Sequence, residues 1–263
     1  MAVPEIEVAV LGPVEIRGAV RAFRRPAARE LVVYLALHPN GARTDVWGAA
    51  LWPDRSVAPS TLHSTVSAAR RSLGQSEAGL DHLPRSGRHV RLGASVGTDV
   101  DRFARAAAEP DPARWREALE LVRGALFEGL SRCDWAVFEG ISAELGSMVT
   151  DTALRGAEHF LARGLGGEAE WMIRRALKVS PYDERLYRAL LRAAEVQGNR
   201  MGVRAAMAEL LTAAREAEQG GVAPCPSSPG SPSPSFVHPK TVALYRELAH
   251  GAAPEARGDP VRL

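Results

Sequence analysis

Along residues 5–16, EIEVAVLGPVEI, apolar and polar positions alternate in two bursts on either side of Gly12-Pro13. A period of two predicts two short strands joined by a tight turn. The period then changes. Ala28, Leu31, Val32 and Leu35 recur at i, i+3, i+4 and i+7 behind Pro26, and Pro39-Asn40-Gly41 closes the predicted helix. Thr44 or Asp45 caps a second, short helix carrying Val46, Trp47, Ala50 and Leu51, which Pro53 stops. The loop 53–58 leads into a third helix over 59–73, whose Leu62, Val66, Ala69 and Leu73 form one apolar stripe. Residues 83–92, LPRSGRHVRL, read as a turn followed by an alternating strand.

From Thr98 onward the texture is different. Ala/Leu/Arg/Glu-rich stretches punctuated by Gly and Pro carry almost no strand signal and predict an all-α body. Within it, positions recur 34 apart: Ala157 with Leu191, Gly164 with Gly198, and Ala176 with Leu210. That spacing is the period of tetratricopeptide helix hairpins. Residues 219–237 form a Pro/Ser/Gly-rich linker, expected to be extended or disordered. Val242, Leu244, Tyr245 and Leu248 mark a last amphipathic helix over 238–250, expected to dock on the helical domain. The expected division is therefore 1–97, 98–218, the linker, the helix 238–250 and a disordered tail over 251–263.

Composition sharpens this picture at two points. With 263 residues, 46% of them hydrophobic, the chain is long enough for two modest domains. The formal charge of +2 hides an asymmetry: residues 1–105 hold 14 Arg, no Lys and 10 acidic residues, a balance of +4, against −2 for the rest. The N-terminal part is thus the side suited to a polyanion. Other classes are excluded. The only lysines, Lys178 and Lys240, do not follow glycine, so there is no Walker A phosphate loop. Cys133 and Cys225 lack the spacing of a zinc site or a disulfide framework. MAVPEIEVAV carries acids where a signal peptide needs basic residues, and no apolar run reaches the roughly 18 residues of a membrane span. The chain is expected to be cytoplasmic, with no membrane partner, metal or cofactor.

One motif points elsewhere. Gly93-Ala94-Ser95-Val96-Gly97 spells G-x-S-x-G, the nucleophile elbow of serine hydrolases. An elbow enzyme needs an acid and then a His downstream, on the loops of a parallel sheet. His159, His238 and His250 follow, but no strand-like run does after Val96. No catalytic residue is therefore expected. The stretch reads as a turn leaving the strand before it, with Ser95 ordinary and Asp99 and Asp101 capping the next helix.

The element order over 1–97 is that of an α+β winged helix-turn-helix, whose third helix enters the DNA major groove while the hairpin after it touches backbone or minor groove. At about 100° per residue, Ser60, Ser64, Ser67 and Arg71 lie opposite the apolar stripe of helix 59–73, flanked by His63, Ala68 and Arg70. Arg70 and Arg71 can reach phosphates or a guanine edge, and the serines can bond phosphate or base. Arg85, Arg88, His89 and Arg91 place a second cationic group at the wing, 83–92. These residues are the candidate DNA-binding set.

The segments carrying this order resemble a known family. "VAVLGPVEIRG", "RELVVYLALHPNG", "LHSTVSAARRSLG" and "LPRSGRHVRL" look like the strands, first helix, recognition helix and wing of the OmpR/PhoB-type domain in the Streptomyces antibiotic regulatory protein (SARP) family. "TDVDRFARAAA", "SPYDERLYRALLRAAEVQGNRMGV" and "HPKTVALYREL" resemble the bacterial transcriptional activator domain that follows it there. The resemblance implies a transcriptional activator that binds promoter repeats, often as a homodimer, and recruits RNA polymerase. It also implies that the loop 53–58, with Asp54 and Arg55, contacts the polymerase. Where Ala68 stands the family usually has a longer side chain, often Arg, and it has more bulk at Ser64. Neither a receiver domain nor an ATPase module is found in the sequence, so no phosphorelay or nucleotide control is expected. The small residues on the third helix leave open an alternative: a tetratricopeptide-type interaction scaffold with a degenerate winged helix.

Overall fold

A computed structural model describes residues 4–85, 87–219 and 237–250. Most of the Pro/Ser/Gly-rich linker and the whole of the tail 251–263 lie outside the described residues. The chain divides into two compact units, residues 1–148 and 149–263.

In the first unit, β1 (Ile6–Ala9) and β2 (Glu15–Arg17) form the antiparallel pair that the alternation predicts, in the register Glu7↔Arg17 and Val8↔Ile16. Three helices follow: α1 (Pro26–Ala36), α2 (Thr44–Leu51) and α3 (Pro59–Leu73). Two strand pairings differ from the sequence reading. The wing contributes only β4 (His89–Val90), which pairs with β3 (Ala42–Arg43), between α1 and α2, instead of with residues earlier in the wing. A further strand, β5 (Val96–Thr98), lies parallel to β1 and completes a sheet of order β2-β1-β5. Two- and three-residue strands have no period to detect, which is why neither β3 nor β5 was expected.

Helix α4 (Asp99–Ala108) starts directly after β5. Thr98 is its N-cap, accepting from the Asp101 amide at 2.9 Å, while the Asp101 carboxylate accepts from the Thr98 amide at 3.2 Å. This reciprocal pair is a capping box. Asp101 thus caps as expected, but Asp99 does something else. Its carboxylate, 2% exposed, accepts from the amides of Val10 and Leu11 at 2.9 and 3.0 Å and ties the helix to the end of β1. Burial raises the pKa of this carboxyl, and the two amides and Arg123 oppose the shift.

Beyond α4 come α5 (Pro112–Glu120) and the short α6 (Asp134–Phe138). The compositional change at residue 98 marks where the chain turns helical, yet the compact unit runs on to residue 148. The reason is that residues 123–139 complete the core of the winged helix. Arg123 and Phe127 donate their amides to the carbonyls of Leu11 and Val10 at 2.7 and 3.1 Å, and Val14 donates to Glu128 at 2.9 Å. Glu30, buried on α1, is neutralised by Arg132 at 2.8 Å and accepts from Ser131. Tyr34 stacks on His38 and meets the edge of Trp135, all within the same aromatic cluster. Trp47, Trp52, Trp115 and Trp135 are all buried.

The second unit is built from the end of α7 (Ile141–Leu161), α8 (Gly166–Leu177), α9 (Glu184–Val196), α10 (Arg200–Gln219) and α11 (Pro239–His250). The period of 34 is repeated at the level of backbone hydrogen bonds. Leu165 donates to Phe160 and Ala169 to Leu165, just as Asn199 donates to Ala194 and Val203 to Asn199. Gly164 and Gly198 reverse the chain at these points with φ of 72° and 66°, conformations that favour glycine. Helix α8 packs on α9 closely enough that a Cβ at Gly166 would stand 2.6 Å from the Ala193 carbonyl. Helix α11 packs on α9 and α10. Glu184 accepts from the His238 amide and the buried Thr241 hydroxyl at 2.9 and 2.6 Å, and Arg188 donates to that hydroxyl at 2.9 Å.

Substituting Asp99 by Ala leaves two buried amides without an acceptor, and is expected to cost about 1–3 kcal/mol of stability. Denaturant unfolding monitored by Trp fluorescence checks this; an unchanged midpoint would show that the Asp99 bonds contribute nothing net.

Candidate nucleic-acid interface

Helix α3 has three faces, each set by its i, i+4 ridges. Thr65, Ala69, Ser72 and Leu73 are buried and face the core, with Leu62 and Val66 partly buried beside them. His63, Ser67 and Arg71, spaced four apart, are exposed and form an open ridge that Ser60 extends. Ser64 and Ala68 lie at its margin and are half-buried, Ala68 packing against the hydrophobic core. Of the helix residues expected to bind DNA, Ser60, His63, Ser67 and Arg71 therefore present a free face, whereas Ala68 does not.

Arg70 is placed differently from the expectation. Its guanidinium turns to the wing and donates from Nε to the Leu83 carbonyl at 2.7 Å and from Nη2 to the Pro84 carbonyl at 3.3 Å. Burial lowers its pKa from the usual arginine value, with Asp81 acting against the shift and the neighbouring Arg85 adding to it. Arg70 is thus a latch that fixes the wing to α3. Between helix and wing lies a cleft of about 180 Å³, lined by Thr44, His63, Ser67 and Arg70 on one side and Arg85 and Gly87 on the other. The base of the wing is held by Thr44, whose amide and hydroxyl both donate to the Arg88 carbonyl, at 2.8 and 2.9 Å. Gly41, with φ of 73°, lets the chain pass β4 where a Cβ would stand 2.5 Å from the Val90 carbonyl.

Arg85, Arg88, His89 and Arg91 are all exposed on the wing. Among the described residues no carboxylate pairs with Arg71, Arg85, Arg88 or Arg91, whereas Arg17, Arg43 and Arg102 are each matched by an acid. Four guanidiniums without an acid therefore stand together at α3 and the wing, although Arg55 and Arg105 in the same unit also lack one. Arg25, which the sequence reading passed over, joins them: its Nη1 donates to the Ser64 hydroxyl at 3.0 Å. The signal for it was the run Arg21, Arg24 and Arg25 just before α1.

Asp54 and Arg55 lie apart from this face. Both are exposed and line a different cavity, of about 230 Å³, with Trp52, Ser131, Arg132 and Asp134. The G-x-S-x-G stretch lacks the geometry of an elbow, and Ser95 is not an ordinary turn residue either. A nucleophile elbow sets serine between a strand and a helix, but here β5 intervenes between Ser95 and α4. Ser95 is not an idle turn residue, since its hydroxyl lies 2.7 Å from Nδ1 of His82, which is 2% exposed. Nε2 of His82 faces Glu5 at 3.8 Å, and Glu5 accepts the Glu77 amide at 2.9 Å. This chain of polar contacts ties the segment beneath the wing to the start of β1. Among the described residues, no helix is long and apolar enough to cross a membrane.

No protein-family model matches the chain, and no curated protein matches it in sequence. Among solved structures it is similar to Mycobacterium tuberculosis EmbR in complex with a low-affinity phosphopeptide, with a TM-score of 0.56 and 22% identity over 94% of this chain. The chain spans 65% of the length of that EmbR chain. The likeness is one of fold. A winged helix leading into a tetratricopeptide-like helical body is the architecture that the resemblance to the SARP family implied.

Removing the latch with Arg70→Ala is expected to free the wing while α3 stays folded. Amide hydrogen exchange at Leu83 to Val90 should speed up by roughly five- to tenfold, the equivalent of one charged hydrogen bond of about 1–1.5 kcal/mol. Exchange unchanged in that segment would show the latch to be dispensable.

Proposed function

We propose that the chain is a sequence-specific DNA-binding transcriptional regulator, an activator that reads promoter repeats through α3 and the wing. The observation that carries this reading is the set of unpaired guanidiniums, Arg71, Arg85, Arg88 and Arg91, beside the open ridge His63–Ser67–Arg71. A duplex presents closely spaced phosphates, and each one neutralised releases counterions, so such a surface gains most from DNA. His63, Ser67 and Arg71 offer donors to base edges and the wing arginines offer donors to phosphate. The fold supports the reading, since EmbR is a SARP-family transcriptional regulator. In this reading the protein acts in the cytoplasm on the nucleoid, binds repeats as a homodimer, and offers Asp54 and Arg55 in the loop 53–58 to RNA polymerase.

The second reading, a repeat scaffold that binds another protein, is favoured by the apolar Leu165, Val196 and Met201, which are exposed in the helical body. Selection of bound DNA from a random pool separates the two. The regulator should enrich repeats with centres about 10–11 base pairs apart or a multiple of this, one helical turn. Arg71→Ala should weaken binding to the selected duplex by about tenfold, as the loss of one contact to phosphate or base does. A pool that shows no enrichment at low salt, with a stable protein partner recovered independently of DNA, would establish the scaffold instead.

A further inference from the structure

The segment between β2 and α1 is pinned to the flank of α3 from Ser64 to Gly74. At one end the Arg21 amide donates to the Ser72 carbonyl at 3.1 Å, and the Val20 side chain sits where a Cβ of Gly74 would meet it at 2.7 Å. At the other end the Arg25 guanidinium reaches the Ser64 hydroxyl at 3.0 Å. As residue numbers rise from 20 to 25, the contacts descend from Gly74 to Ser64, so the segment runs antiparallel to α3. It lies against the ridge Ser64–Ala68–Ser72, while the wing lies against the side that carries Val66 and Arg70. The open ridge is therefore bounded on both sides. Arg21, Arg24 and Arg25 are exposed, and among the described residues no carboxylate pairs with any of them.

A helix in a major groove has a phosphate backbone on each side of it. The wing accounts for the cations on one side only. We infer that Arg21, Arg24 and Arg25 form a second DNA-contacting strip, which neutralises phosphates of the strand across the groove from the wing. This rests on the reading of α3 as a recognition helix and extends it to residues outside the helix-turn-helix and the wing. Ser64, small and already engaged by Arg25, is then the point where the strip meets the helix, which gives its short side chain a use. Because the strip contacts backbone and not base edges, it adds affinity without sequence preference.

The test measures binding of the full chain to its selected duplex as a function of salt. Each phosphate contact contributes about 0.9 to the slope of log K against log[salt], or roughly eightfold in affinity at 0.1 M salt. Arg24→Ala with Arg25→Ala should flatten the slope by about 2 and weaken binding some tens of times at 0.1 M, equally for the selected site and for unrelated duplex. Arg24→Lys with Arg25→Lys should restore the slope. Arg21→Ala, whose backbone bond to Ser72 does not involve the side chain, should remove about one contact without touching the start of α1. A wild-type slope in both Ala variants, or a slope that the Lys pair fails to restore, would overturn the second strip while leaving the recognition helix in place. Failure of the wild type itself to bind the duplex would remove the parent reading.

Discussion

The five residues Val10 to Val14 carry the constraint on which the first unit turns. Their stretch is nearly all buried, and a buried backbone must have partners. None of these partners is another strand of the β2-β1-β5 sheet. The amides of Val10 and Leu11 go to the Asp99 carboxylate, their carbonyls to Phe127 and Arg123, and the Val14 amide to Glu128. A segment of the winged helix therefore has its hydrogen bonds completed by residues 88 to 117 positions downstream, which makes residues 99–128 part of its fold and not an appendage. Glu30 and Arg132 repeat the arrangement on α1. A buried carboxylate alone would cost several kcal/mol, and here each is offset by the donors it accepts from: two buried amides for Asp99, Ser131 and Arg132 for Glu30.

Around α3 the same logic of partners divides the arginines by task. Those that meet carbonyls, Arg70 on the wing and Arg29 on Val14 and Gly129, set the positions of backbone segments. Those that meet carboxylates, such as Arg17 and Arg102 on Glu7, close the surface of the sheet. Among the described residues Arg21, Arg24, Arg71, Arg85, Arg88 and Arg91 have neither, and these six stand around α3 and the wing. A local excess of like charge costs free energy in the unliganded protein, and a polyanion relieves that cost on binding.

Much of this was legible in the sequence. Helices α1, α2 and α3 follow from periodicity and from proline and glycine stops, and the pattern placed α3 over the same residues that the structure gives it. The period of 34 was visible in the Gly164 and Gly198 pair because a positive φ constrains identity more than packing does. What sequence could not supply was pairing. The strands β3 and β5 are too short for a period, and their existence depends on partners 40 to 90 residues away. The task of Arg70 was hidden because an arginine on an exposed helical face looks the same whether it meets a phosphate or a carbonyl. Ser95 reads as ordinary in the sequence because its partner His82 is close in space but no motif links the two.

The cations around α3 are all guanidiniums or imidazoles, and the first lysine of the chain is Lys178. Acylation, which erases lysine charge, has nothing to act on there. An arginine keeps its proton at any physiological pH. The electrostatic attraction of the winged helix is thereby built as a constant, and control over it has to come from something that covers the surface or moves it.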